Sequence, residues 1–288
     1  MSLPQPPSSA PTLPRCYRHP DREGGRSCTR CGKSACSECL VQADVGSHCL
    51  DCAKAARPDV KTRARYWNAR QPTLVTFALM AVNIAVFLYT SLSDTSTLTG
   101  RGSVSTAQFD LGLNKLILQL SPDWEWYRLV TSGFLHFGII HIAFNMLLLY
   151  QLGQLLEPAV GRTKFGLLYA ASLLGGSLGV LIFDANAIAG GASGAVFGLM
   201  TAAAVGLHRR GVNVFSTGIG TTLLLNLVLT FTIPGISIGG HVGGAAVGAV
   251  CGWVMLAPTW KKYPKWSGYA TPAALVLIAI IGSLIVVG

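Results

Sequence analysis

The sequence predicts an all-α polytopic membrane protein with seven transmembrane helices, preceded by a small zinc-binding domain. Three observations carry this prediction. Of 288 residues, 51% are apolar and only 12% are charged, and the run from Gly211 to Trp260 contains no Asp, Glu, Lys or Arg. Soluble domains of this size do not have such a balance. Seven of the eight cysteines fall between positions 16 and 52.

Residues 1–14 are dominated by Pro, Ser and Gln, cannot bury a core and are expected to be disordered. They do not read as a secretory signal, because no apolar stretch follows until residue 72. Residues 15–54 contain Cys16-x2-His19, Cys28-x2-Cys31, Cys36-x2-Cys39 and Cys49-x2-Cys52. A two-residue spacing lets a tight knuckle hold one edge of a metal tetrahedron, and two edges close a site, so these eight ligands suffice for two structural zinc ions. Only four residues separate Cys31 from Cys36, which favours interleaving. Cys16, His19, Cys36 and Cys39 then surround one ion, and Cys28, Cys31, Cys49 and Cys52 the other, with His48 as an alternative to Cys49. Over residues 16–52 this pattern resembles B-box-type zinc fingers, which implies a module that binds a cytoplasmic protein partner or its own kind. The plainer reading is a zinc-stabilised knob without a partner. Residues 55–71, with Arg57, Lys61, Arg63, Arg65 and Arg70, form a basic juxtamembrane linker suited to anionic lipid.

A helical span needs roughly 20 apolar residues. Windows of that kind lie near 72–92, 133–156, 165–183, 190–207, 216–234, 237–257 and 271–287. The fourth is short and rich in Gly and Ala, so it belongs inside the bundle, shielded from lipid. Basic residues mark alternate loops: the linker, then Arg162 and Lys164, then Arg209 and Arg210, then Lys261, Lys262 and Lys265 within the 258–270 loop. The opposite loops hold Asp94, Asp110, Asp123, Glu125 and Asp184, with Arg101, Lys115 and Arg128 against them. The positive-inside rule places the N-terminus in the cytoplasm and, after seven spans, the C-terminus outside. This topogenic bias accounts for most of the net charge of +10, and without a recognition motif no nucleic-acid partner is expected.

Polar residues inside the spans each need a reason. The second span reads His136-Phe-Gly-Ile-Ile-His141-Ile-Ala-Phe-Asn145. His141 and Asn145 are four apart and share a helix face, where two neutral donors can meet an oxygen that becomes negative during acyl transfer. Interhelical hydrogen bonding is the alternative for an isolated pair. This pair is not isolated, because Ser193 in Gly191-Ala-Ser-Gly194 and His241 in Gly239-Gly-His-Val-Gly-Gly244 lie at the same depth on two other spans. Gly190, Gly194 and Gly198 recur every four residues on the fourth span, as do Gly240, Gly244, Gly248 and Gly252 on the sixth. Two such grooves in contact bring the Ser193 hydroxyl to the His241 imidazole. No carboxylate lies inside the span windows, so the reading is a Ser-His dyad, with Phe197 one turn beyond Ser193 as a stacking surface for the imidazole. Cys251, in the sixth span, reads as a packing residue.

From Trp126 to Gly252 these residues resemble the rhomboid family of intramembrane serine proteases. Tyr127-Arg128, the series His136, His141 and Asn145, Gly191-x-Ser193-Gly194 and the glycine-flanked His241 carry the resemblance. It implies a six-helix rhomboid core over 72–257, with Ser193 as nucleophile and His241 as general base and then general acid. It further implies that the Ser193 amide, His141 and Asn145 stabilise the oxyanion, that Gly191 shapes that loop, and that Arg128 anchors the first outer loop. Two positions depart from the family pattern: Phe197 stands where Tyr is common, and Tyr127-Arg128 where Trp-Arg is frequent. The zinc module and the seventh span, 271–288, lie outside the shared core.

The expected function is that of an intramembrane serine endopeptidase, multi-pass in a bacterial plasma membrane, cleaving proteins at or near their transmembrane helices and needing no catalytic cofactor. Two rivals stand beside it. One is a catalytically silent rhomboid-like scaffold that binds client helices. The other is a haem or ion carrier using His136, His141 and His241, which leaves Gly191-Ala-Ser-Gly unexplained.

Overall fold

The computed structural model describes residues 13–57, 59–69, 71–100, 104–121, 125–184, 188–261 and 263–288. The segment expected to be disordered lies, up to residue 12, outside them, as do Arg70, Arg101, Asp123 and Lys262 of the charge pattern. The chain divides into two units, residues 1–70 and 71–288.

A segment as short as the first unit buries little apolar surface, so tight turns and short hairpins organise it. β1 (Arg26–Ser27) pairs antiparallel with β2 (Ser34–Ala35), and β3 (Leu40–Gln42) with β4 (Ser47–Cys49). Gly32 and Gly46, at φ 76° and 73°, close the two turns in a conformation that costs other residues dearly. α1 (Leu50–Ala55) starts at Cys49, whose Sγ accepts the Cys52 N–H at 3.4 Å. The stretch expected to be a plain linker contains a helix, α2 (Val60–Ala69), in keeping with its Ala, Arg and Lys content.

The second unit is helical. α3 (Leu74–Ser93) is followed by four short helices, α4 (Ser96–Thr99), α5 (Thr106–Leu111), α6 (Lys115–Leu120) and α7 (Arg128–Thr131). Then come α8 (Ile139–Val160), α9 (Arg162–Phe183), α10 (Ser193–His208), α11 (Ile219–Thr232), α12 (Ile238–Met255) and α13 (Ser267–Val287). Among the described residues five helices, α3, α8, α9, α12 and α13, are long and apolar enough to cross a membrane. α10 has 16 residues, as its composition predicts, but α11 has only 14 against an expected span of 216–234. Gly218, at φ 78°, separates α11 from a 3-10 turn over Val214–Thr217, and Pro234-Gly235 follows its other end.

The second span also differs from its expected limits of 133–156. Gly138 adopts φ 101°, so the helix begins at Ile139, and His136 lies in the preceding loop rather than on the helix. At its other end α8 runs on to Val160 and so takes in Glu157, a carboxylate inside a span that the sequence reading places outside. Glu157 is 1% exposed and accepts the backbone N–H groups of Val75 and Thr76, at 2.9 and 2.8 Å, and the Thr76 hydroxyl at 2.7 Å. It therefore satisfies donors that the first turn of α3 leaves free and pins that helix to α8, far along the chain from Ser193 and His241.

α9 is the central helix: 67% of its apolar window is buried, against 22% for α13. α12 packs against both α9 and α10, which also touch each other, and meets each through glycine. A Cβ on Gly244 or Gly248 would collide with the backbone of Gly194 or Gly198 in α10. A second row, Gly239 and Gly243, faces Gly179 and Gly175 of α9 in the same way. In hydrocarbon, where apolar burial drives no association, such backbone contact is a main source of helix–helix attraction. Gly190, the first member of the expected row on the fourth span, precedes α10 and instead faces Leu135 and Phe137. α13 packs on α9, with the Lys164 ammonium 4.9 Å from the Tyr269 ring centre, and its Val287 carbonyl accepts from Gln119 Nε2 of α6 at 3.1 Å.

Candidate active site

Ser193 is the first residue of α10 and His241 the fourth of α12. The two helices touch where a Cβ on Gly194 would come within 3.0 Å of the Gly240 carbonyl oxygen. The residue before one glycine and the residue after the other are thus brought to the same end of one close contact. The His241 ring stacks on Phe197, with centroids 4.1 Å apart and planes 20° from parallel. Its Nδ1 lies 2.7 Å from the hydroxyl of Thr230 on α11, a residue the sequence reading does not single out. Threonines in apolar helices bond their own carbonyls as a rule, so nothing local in the sequence marks this one.

The first turn of α12 is held by its neighbours. Ser237 Oγ accepts the Gly240 N–H at 2.8 Å and donates to Asp184 Oδ2 at 2.6 Å, while the Gly239 N–H reaches the same oxygen at 2.9 Å. One carboxylate at the end of α9 thereby ties down the turn that carries His241.

On the other side of Ser193, the Phe137 N–H donates to His141 Nδ1 at 3.3 Å. The ring proton then sits on Nε2, which becomes a donor. A Cβ on Gly191 would lie 3.0 Å from His141 Nε2 and 3.4 Å from Ser193 Oγ, so the bare glycine keeps open the space between them. Its φ of 143° and its N–H bond to the Ser132 carbonyl at 2.8 Å shape this turn. The Asn145 amide donates to the His141 carbonyl at 2.9 Å and carries a second N–H. His136, fully buried, donates from Nδ1 to the Phe134 carbonyl at 3.2 Å and supports the His141 ring edge-on, 5.0 Å between centroids. Arg128, 2% exposed, bonds Glu125 Oε2 at 2.7 Å, the Gly112 carbonyl at 2.9 Å and the Phe109 carbonyl, which knots the segment around α5 to α7. A cavity of about 40 Å³ lined by Ser132, Ser177, Gly191 and Ser193 has the size and polarity to admit a water molecule.

A serine at a helix N-terminus, a stacked histidine and a histidine donor around a glycine opening are the kinds of group that acyl transfer uses. Residues 123–258 match the Rhomboid domain. The chain is 33% identical over 187 residues to "Rhomboid protease GluP" of Bacillus subtilis (strain 168), covering 64% of this chain and 35% of that protein. It is 35% identical over 139 residues to "RHOMBOID-like protein 4" of Arabidopsis thaliana, covering 46% of this chain and 34% of that protein. It is also 33% identical over 170 residues to "Rhomboid-like protease 1" of Toxoplasma gondii, covering 56% of this chain and 58% of that one. The chain spans about a third of the length of the first two of these relatives. These similarities support the rhomboid family. The matched region, 123–258, takes in every residue described above around Ser193 and His241 except Phe109 and Gly112, whose carbonyls receive Arg128.

Outside the matched region, two groups of side chains among the described residues could each hold a metal ion. Cys16, His19, Cys36 and Cys39 form one and Cys28, Cys31, Cys49 and Cys52 the other, with the ligand atoms of each group within 4.8 Å of one another. His19 Nδ1 lies 3.4 Å from both Cys36 Sγ and Cys39 Sγ, and Cys31 Sγ lies 3.7 Å from Cys49 Sγ. Tetrahedral zinc with typical bond lengths has edges of roughly 3.5 Å between nitrogen and sulfur and roughly 3.8 Å between sulfurs, so both groups fit. His48, the alternative ligand, is excluded from the second group because neighbours on a strand point to opposite faces and β4 turns Cys49 inward. The thiols are unevenly poised: the Cys49 backbone N–H leads in drawing Cys28 down to about 6, whereas hydrogen bonds with Cys31 and Cys49 push Cys52 up to about 12. A divalent cation draws all four to thiolate.

Proposed function

We propose that this protein is an intramembrane serine endopeptidase that cleaves membrane proteins at or near their transmembrane helices, with Ser193 as nucleophile and His241 as its base. The observation that carries the reading is the approach of α10 and α12 through Gly194 and Gly240, with the His241 ring stacked on Phe197 one turn from Ser193. Ser193 Oγ attacks the scissile carbonyl carbon and passes its proton to His241 Nε2. The oxyanion meets the Ser193 N–H, left free at the start of α10, together with His141 Nε2–H and an N–H of Asn145. When the peptide bond breaks, His241 returns the proton to the leaving amine. Water then attacks the acyl-enzyme by the same route in reverse. His136 and Arg128 support the histidine donor and the neighbouring loop. A substrate helix must unwind locally to present its carbonyl, so substrates with small or helix-weakening residues near the cleaved end are expected. The proposed topology puts the N-terminus in the cytoplasm and Ser193 near the outer face of the bilayer.

The test is labelling of the detergent-solubilised chain with a fluorescent fluorophosphonate. Wild type is expected to label, and His241→Ala to label at least about 100-fold more slowly, the usual contribution of a general base. A wild type that stays dark while an established serine hydrolase labels alongside it would favour the silent scaffold.

For the first unit we propose a B-box-like module with two structural zinc ions, paired as the two groups above; a protein partner in the cytoplasm is its suggested role. Structural zinc in such small modules contributes on the order of 10 kcal/mol, more than the rest of a fold this small supplies. The purified chain is therefore expected to carry two equivalents of zinc by elemental analysis. Cys36→Ser and Cys49→Ser each lose one, His48→Ala loses none, and a strong chelator abolishes hydrogen-exchange protection over residues 16–52. Full metal content in both serine variants would refute the pairing.

A further inference from the structure

We infer that Thr230 is a positioning residue for the base: its hydroxyl sets the His241 tautomer, so that the nitrogen facing Ser193 is the unprotonated one. The inference rests on the protease reading above. Thr230 Oγ1 lies 2.7 Å from the Asn226 carbonyl oxygen and 2.7 Å from His241 Nδ1. A carbonyl only accepts, so both contacts are hydrogen bonds at once only when the hydroxyl proton points to Asn226 and Thr230 Oγ1 accepts from the imidazole, and this fully bonded arrangement is the favoured one. Nδ1 therefore carries the ring proton and Nε2 keeps its lone pair, the arrangement that general-base catalysis on Ser193 needs. Were the proton on Nε2 instead, the Thr230 hydroxyl would face two acceptors, could donate to only one, and one of the two 2.7 Å hydrogen bonds would be lost.

The packing of α11 points the same way. Of its side chains, only Thr230 is buried, since Gly220, the other buried residue, has none. Leu224, Leu225, Val228 and Phe231 are exposed on its surface. Thr230, 2% exposed, is the one buried side chain of α11 and its hydroxyl lies on the base, while Ile219 and Leu223 pack partly buried against the core toward the other end of the helix. Phe197 fixes the plane of the imidazole and Thr230 fixes its rotation in that plane. Asp184, whose carboxylate touches this turn of α12, bonds Ser237 and the Gly239 N–H rather than the ring, so Thr230 takes the place that an acidic third member occupies in a triad. The base is thus oriented only while α11 is seated against α12, which makes catalysis depend on the position of that sparsely packed helix.

The experiment compares wild type, Thr230→Val and Thr230→Ser in the full chain. Readouts are cleavage of a transmembrane-helix substrate resolved into kcat and KM, thermal stability, and the nitrogen-15 signals of the imidazole assigned by their loss in His241→Ala. Valine keeps the shape and removes the acceptor. The expected result is a kcat lower by roughly ten- to hundredfold with KM within about twofold, restored to within about threefold by serine. The wild-type spectrum is expected to report the Nδ1-protonated form and the valine variant a shift toward the Nε2-protonated form. If valine disrupts folding, Thr230→Ala replaces it with the same expectations. An unchanged kcat in a folded valine variant, or a wild-type imidazole protonated on Nε2, overturns the inference. Absence of Ser193-dependent cleavage in wild type refutes the protease reading instead, while the spectrum still decides whether Thr230 sets the tautomer.

Discussion

Ser193→Ala is expected to lower proteolysis of a transmembrane-helix substrate by roughly 10⁴-fold or more while leaving the fold intact. The magnitude follows from removing the atom that forms the covalent bond; in serine hydrolases the residual rate comes only from binding and oxyanion stabilisation. The clean separation from stability follows from this structure. Ser193 is the first residue of α10, a position where alanine is well tolerated, and its hydroxyl has no hydrogen-bond partner among the described residues. A change in stability of no more than about 0.5 kcal/mol is therefore expected. Cleavage in proteoliposomes, alongside thermal melting of both proteins, is the measurement. Undiminished cleavage by the alanine protein would mean that another group attacks, and the site would have to be sought elsewhere.

The second large effect is on stability, at a residue without a side chain. Gly248→Ala is expected to cost about 3 kcal/mol or more, because the three heavy atoms nearest the new Cβ all belong to the backbone of Gly198. A flexible side chain could swing aside; a helix backbone cannot, so α10 and α12 must separate, and with them Ser193 and His241. Fluorophosphonate labelling is expected to fall together with the melting temperature. Gly166→Ala is the internal control: its Cβ meets only Val75 Cγ1, at 3.8 Å, and the substitution is neutral or stabilises the helix by up to about 1 kcal/mol. Equal melting temperatures for the two variants would show that the α10–α12 contact is softer than its geometry.

The lesson for sequence reading lies in which contacts are local. The apolar helices are legible because transfer into hydrocarbon demands a length and a composition, both written along a single segment. The two metal-ligand groups are legible because each ligand pair sits on one knuckle, and the four-residue gap favours interleaving. The glycine row from Gly240 to Gly252 is visible as a period, and the candidates Ser193 and His241 stand beside such rows.

Other features become visible only in three dimensions. Gly239 and Gly243 make a second row only because α9 lies on the other side of α12. The start of α8, which leaves His136 in a loop, depends on the conformation of Gly138, and the end of α11 on Pro234-Gly235. Glu157 falls one residue beyond the apolar window of its span, and its partners are donors at the head of α3, about 80 residues earlier. Composition, spacing and period alone determined that this chain carries a metal-ligand module and a bundle of membrane helices, with a serine and a histidine among glycines. Tertiary structure decided what holds them in place: the Glu157 cap, the two-sided glycine contact of α12, and the Thr230 hydroxyl on His241. A hydroxyl or a carboxylate in an apolar helix must find a partner, and that partner lies on another helix, where one-dimensional pattern carries no information.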